Sequence, residues 1–291
     1  MNKVHLAVPD EAPISVDYKP YDARRLSYSN TFSNPFKAGT IRALEWLTAK
    51  LYLLRRIREF EAMGAPRGHA FFLQVLKVMG VDVLTPPEQI AQIPKSGPVV
   101  VVANHPHGLV DGLVLAQLVG NVRQDYKILV RSLLTGVQEI DPFMISVPFP
   151  HEENAHRRSI DMRNEAMEHL KAGGVVILFP SGAVASSETM FGEVVEQPWN
   201  PFTAKLILKS GASVVPIYFP GRNSRSYQIA NRISATIRQG LLLREIKKSM
   251  FRPQKPVIGA PISSEEAMQW KGNPRGFMAW LRERTLSLAE K

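Results

Sequence analysis

Four short, almost uninterrupted apolar runs limit what this chain can fold into. They are residues 98–103 (PVVVVA), 126–130 (YKILV), 175–179 (VVILF) and 214–219 (VVPIYF). A strand with one wet face alternates apolar and polar residues, whereas a continuous apolar run is buried on both faces, which is the signature of a parallel sheet covered by helices. Stretches of helical character separate the runs, at 111–119, around 161–171, and at 202–209 just before Gly211. This alternation predicts an α/β fold with a mixed, largely parallel sheet flanked by helices.

An N-terminal helical hairpin precedes the sheet. Residues 41–62 carry Ile41, Leu44, Leu47, Leu51, Leu54 and Ile57 at spacings of three and four on a charged background, the pattern of an amphipathic helix. Gly64, Pro66 and Gly68 interrupt it, and a second helix follows, closed by Gly80. The chain is therefore divided into an extension (1–35), the hairpin (36–83), a possible membrane-surface element, and an α/β domain (84–291). Residues 276–291 read as a closing helix that packs on the rest.

Composition narrows the chemistry. The net charge of +10 and pI near 9.8 favour acidic partners such as anionic headgroups, phosphorylated substrates or nucleic acid. No nucleic-acid motif is present, and the aromatics do not interleave with basic residues as a stacking platform requires. The 291 residues include no cysteine, so thiolate nucleophiles and disulfides are excluded. The first 28 residues lack the basic-then-apolar order of a secretory signal, and no run reaches the roughly 18 apolar residues of a spanning helix. The expectation is a protein lying on a membrane or free of it.

Each apolar run ends in a distinctive segment, at the strand ends where α/β sheets bind ligands. The first is Asn104-His105-Pro106-His107-Gly108-Leu109-Val110-Asp111-Gly112. A histidine bonded to a carboxylate is held in one tautomer, which suits a general base. His107 and Asp111 are four apart and meet if the segment is helical; His105 and Asp111, six apart, meet only through a loop, which Pro106 and Gly108 favour. Asp111 also stands where a helix begins and serves equally as its N-cap. His-x-His-x3-Asp spacing suits a metal as well, but no distant ligand cluster completes such a set, so no metal is expected.

In these segments the chain resembles the glycerolipid acyltransferases, especially their bacterial hemolysin-like branch. The resemblance covers residues from about 84 to 261. It rests on NHPHGLVDG, on AGGVVILFPSG (172–182), on VVPIYFPGRNSR (214–225), and on the arginines between the first two blocks. One residue more than the family's usual four separates His105 from Asp111, as in the hemolysin-like branch. Ser181 stands where the family has glutamate, and Glu188 or Glu193 is a candidate to replace it.

The resemblance implies a peripheral enzyme on the cytoplasmic face of the inner or plasma membrane of a bacterium. It would transfer an acyl group from acyl-CoA or acyl carrier protein, as co-substrate without a further cofactor, to the hydroxyl of a lysolipid acceptor. Lysophosphatidic acid and lyso-ornithine lipid both fit. His105 would be the base and Asp111 its orienting partner; Asn104, His107, Phe179, Pro180, Ser181, Gly182 and Pro216 would line the substrate site. Arg157 and Arg158, with Arg163 as the weaker candidate, would bind phosphate through the guanidinium fork. Backbone N–H groups near Ser181 and Gly182 are candidates for an oxyanion hole. No Gly-x-Ser-x-Gly elbow supports a serine nucleophile. Lys50, Arg55, Arg56 and Arg58 on the hairpin would face an anionic membrane surface. A lipid-binding module without catalysis is the rival reading, and it has no use for His105.

Overall fold

The structure is a computed structural model, and it describes residues 20–131, 137–148 and 154–290. His151 lies outside them. Eight strands are present among the described residues. They are β1 (Val99–Ala103), β2 (Tyr126–Val130), β3 (Met144–Ser146), β4 (Val175–Leu178), β5 (Ser186–Ser187), β6 (Val194–Val195), β7 (Ser213–Tyr218) and β8 (Val257–Ile258). The main sheet runs β3-β2-β4-β1-β7-β8, parallel throughout except for antiparallel β8. β5 and β6 form a separate antiparallel hairpin. All four apolar runs are strands of the main sheet. The short strands β3 and β8 were not legible as such, because three and two residues carry too little pattern.

The helices, in chain order, are α1 (Pro35–Glu45), α2 (Leu51–Ala62), α3 (His69–Met79), α4 (Pro87–Ile90), α5 (Leu109–Gly120) and α6 (Ala155–Lys171). They continue as α7 (Pro201–Ser210), α8 (Arg225–Ile233), α9 (Ala235–Gly240), α10 (Leu242–Ser249), α11 (Ser264–Met268) and α12 (Pro274–Leu286). Two apolar layers sandwich the sheet, and they divide its residues by parity. Val99, Val101, Val175, Ile177, Val215 and Ile217 point to the layer of α3, α5 and α10, while Val100, Val102, Val176, Leu178 and Val214 point to α6, α7 and α12. Every β1 residue is buried, which is why that run shows no alternation.

The hairpin's apolar stripe is divided between the core and the surface. A π-helical turn at Trp46–Lys50 joins α1 to α2, and a π turn takes up more residues than an α turn. The buried positions accordingly step by fours through Ile41, Glu45, Ala49 and Leu53. Leu47, on the apolar stripe read from the sequence, is 84% exposed, and Leu51 is also exposed. Glu45 is buried in their place: its carboxylate accepts from Ser27 Oγ at 2.6 Å and from the Tyr28 N–H at 2.8 Å. Burial raises its pKa, although these hydrogen bonds and Lys50 oppose the shift. The hairpin shares the sheet's core through Leu53, Phe60, Phe71, Phe72 and Leu76.

Its basic residues divide similarly. Lys50 is buried, and Arg56 pairs with Glu59 and lies over the Tyr52 and Phe251 rings. Only Arg55 and Arg58 of the four expected membrane cations are exposed. Among the described residues no helix is long and apolar enough to cross a membrane.

Candidate active site

Adjacent strands β4, β1 and β7 end side by side, so the three segments singled out by sequence meet at one sheet edge. Asn104 ties two of them together. Its side-chain NH2 donates to the Phe219 carbonyl at 2.9 Å, and its side-chain oxygen accepts from the Phe219 N–H at 2.7 Å. Asn104 thus fixes the loop after β1 to the loop after β7, and it is not among the residues that line the cavity described below. Pro216, expected to line the substrate site, is buried beside Gly259 and lies outside that cavity.

Asp111 is fully buried at the third residue of α5, not at its N-cap, which is Gly108. Gly108 adopts φ +83, a conformation that favours glycine, and turns the chain from loop to helix. The Asp111 carboxylate then receives four donors. Oδ2 accepts from His105 Nδ1 at 3.0 Å, the His107 N–H at 2.9 Å and the Gly108 N–H at 3.1 Å; Oδ1 accepts from His107 Nδ1 at 3.0 Å. Burial alone would raise the pKa of this group, but the hydrogen bonds from both histidines bring it down to about 2. The two pairings that sequence spacing presented as alternatives coexist on one carboxylate.

An ionised Asp111 only accepts, so His105 carries its proton on Nδ1 and presents Nε2 as a base. Among the described residues nothing else bonds that ring. The Phe179 ring stacks on it, with centroids 3.8 Å apart and planes 20° apart. The His105 backbone is held as firmly, since its N–H donates to Glu196 Oε2 at 3.0 Å and its carbonyl accepts from the Ala185 N–H at 2.8 Å.

Glu196 was not singled out by sequence. It is buried, also accepts from Trp199 Nε1 at 3.0 Å, and its own carbonyl accepts from Arg282 on α12. Glu188 and Glu193, the expected substitutes for the family glutamate, are exposed. The second buried acid bonded to the His105 loop is thus one whose sequence surroundings, EVVEQPW, give no periodic or capping signal.

His105 opens into a cavity of about 570 Å³ that is also lined by His107, Phe179, Pro180, Ser181 and Gly182. The Gly182 N–H bonds the Phe179 carbonyl at 2.9 Å, closing the turn, so that donor is not available to an oxyanion. Ser181 Oγ likewise donates to the Ala183 carbonyl. Arg157 and Arg158 lie on the exposed side of the first turns of α6, outside the lining. Arg163, the weaker sequence candidate, does line the cavity and lies over the Phe202 ring, and Arg131 joins it. Helical geometry accounts for the difference, because Ser159 and Arg163, four residues apart, share the face that reaches the cavity. Thr203 is a further lining residue, buried, with no partner for its hydroxyl among the described residues. A second cavity of about 620 Å³, walled mostly by apolar groups such as Leu53, Phe60, Phe71, Val75 and Leu113, adjoins the first across Leu109 and Ile246, which line both.

Comparison with known proteins gives three findings. Residues 43–255 match the sequence profile of the family described as Acyltransferase. The lyso-glycine lipid O-acyltransferase of Phocaeicola vulgatus is 27% identical over 180 residues, covering 60% of this chain and 62% of that protein. The protein of the same description from Bacteroides thetaiotaomicron is 25% identical over 194 residues, covering 62% and 69% respectively. The match therefore spans about three-fifths of the Phocaeicola relative. Among solved structures, the 1-acyl-sn-glycerophosphate (LPA) acyltransferase of Thermotoga maritima aligns with a TM-score of 0.49 and 16% identity over 88% of this chain and 90% of that one.

Proposed function

The chain belongs to the acyltransferase family, and from that premise we propose that it transfers a fatty acyl group from a thioester to the free hydroxyl of a lysolipid. The observation that carries this reading is the buried Asp111 holding His105 by Nδ1, with the ring open to a cavity that adjoins a second, mostly apolar one. A non-catalytic lipid carrier would gain nothing from a charged carboxylate buried behind an imidazole, because burying that charge is costly without a chemical use.

In the proposed reaction the acceptor hydroxyl attacks the thioester carbonyl while His105 Nε2 takes its proton. The imidazolium so formed is stabilised by ionised Asp111, as in other histidine-carboxylate pairs. Collapse of the tetrahedral intermediate breaks the carbon–sulfur bond, leaves the ester, and returns the proton to the departing thiolate. Acyl-CoA and acyl carrier protein both supply such a thioester. The acyl chain occupies the 620 Å³ apolar cavity, and its volume lies within the usual range for small-molecule sites.

The acceptor headgroup meets Arg131 and Arg163, so it is anionic: a carboxylate, as in the lyso-glycine lipids named for the relatives, or a phosphate. Docking on an anionic membrane is supported by Phe36, Trp46, Leu47 and Leu51, exposed on the α1–α2 rod beside Arg55 and Arg58. The test is acyl transfer by the purified protein and its His105→Ala variant, using lyso-glycine lipid, lyso-ornithine lipid and lysophosphatidic acid with labelled acyl-CoA and acyl carrier protein. Transfer by the wild type that falls by about a thousandfold in the variant supports the reading. Equal activity of the two overturns it.

A further inference from the structure

Asp111 Oδ2 has three donors, whereas Oδ1 has one, His107 Nδ1. The carboxylate is fully buried, so among the described residues this second imidazole alone prevents a charged oxygen from being left without a partner. His107 is itself wedged in place. A Cβ at Gly221, which has φ +107, would lie 2.6 Å from His107 Nε2, so the glycine after β7 makes room for the ring. Three things are thus assembled around one side chain: a buried oxygen with a single donor, a ring that supplies it, and a glycine that admits the ring.

Resting on the acyl-transfer reading above, we propose that His107 is a positioning residue for catalysis: by donating to Oδ1 it fixes the rotation of the Asp111 carboxylate and so aims Oδ2 at His105. His107 does not need to touch the substrate to act in this way. The charges around the pair fit such a role. Burial alone would lower the His107 pKa, but its hydrogen bond to Asp111 and the charge of that group raise it overall, with Arg252 opposing and Glu245 assisting. Glu196 accepts from the His105 N–H, and Arg131 and Arg163 line the same cavity as the two rings.

The test compares His107→Phe, His107→Asn and His107→Gln in the full-length protein with the same acyl thioester and lysolipid. The side-chain amide nitrogen of asparagine falls near the position of Nδ1, and that of glutamine near Nε2. His107→Asn is therefore expected to keep kcat within about threefold, while His107→Phe loses about tenfold or more in kcat with KM held within about twofold. If His107→Phe fails to fold, His107→Asn retaining more activity than His107→Gln supports the same conclusion. A phenylalanine variant as active as asparagine, equal losses in asparagine and glutamine, or a loss in the phenylalanine variant that falls on KM and not on kcat would each overturn the proposal. His105→Ala in the same assay reports on acyl transfer itself, so failure of that reading is seen separately.

Discussion

Asp111 concentrates most of the local energetics into one carboxylate. Its pKa is lowered to about 2 from an ordinary value near 4, so the group stabilises the fold fully above the ordinary value, and that contribution is lost as pH falls through 2. Asp111→Asn replaces one acceptor oxygen with an NH2 that opposes the donors around it. The expected costs are about 2–4 kcal/mol of stability at neutral pH and on the order of a thousandfold in kcat/KM. Chemical denaturation at stepped pH checks the first, with the gap between wild type and variant closing between pH 4 and 2. His107 titrates in the opposite sense. Its raised pKa contributes stability that is present below about 6.5 and is lost as pH rises through the elevated value, so His107→Asn should approach wild type in stability at alkaline pH. Gly221→Ala places a Cβ in a left-handed conformation against the His107 ring, and thermal unfolding should register a loss of about 1–3 kcal/mol.

Among the elements, the α1–α2 rod carries the clearest test of how sequence maps onto burial. The spacing of three and four puts Leu47 on the apolar stripe, and the π turn divides that stripe, burying Glu45, Ala49 and Leu53 and leaving Leu47 outside. Leu47→Ala should change stability by no more than about 0.5 kcal/mol, and Leu53→Ala should cost about 2–4 kcal/mol in urea unfolding. Equal effects would show the regular period to be the true one. Leu47→Asp, neutral for the fold on the same argument, should reduce flotation with anionic vesicles if this exposed face meets lipid. The strands were the most legible elements, because residues buried on both sides leave an unbroken apolar run that no surface helix produces. The β5–β6 hairpin was not legible. Two-residue strands have no period to detect, yet this hairpin delivers Glu196 to the His105 backbone.

Across the whole molecule, the two cavities meet where α5 and α10 pass between them at Leu109 and Ile246. If the apolar cavity holds the acyl chain, its depth limits chain length. Val75→Phe, which enlarges a lining side chain of α3, should therefore shift preference toward shorter acyl donors by about tenfold in competition assays, while kcat with the short donor is kept. An unchanged preference would assign the cavity another occupant.

Sequence by itself determined the parallel core, the hairpin ahead of it, and the pairing of histidine with Asp111, because these are written in neighbouring residues: apolar runs, amphipathic spacing, and donors and acceptor within eight positions of one another. Tertiary structure alone decided which groups surround that pair. Asn104 meets Phe219 across 115 positions and Glu196 meets His105 across 91, contacts fixed by which strands end side by side and not by any local pattern. It also decided which arginine lines the cavity, since Arg157, Arg158 and Arg163 are equal as residue types and occupy different faces of α6. On the question of His105 or His107, the sequence posed a choice that the buried carboxylate did not have to make, having two oxygens and holding one ring with each.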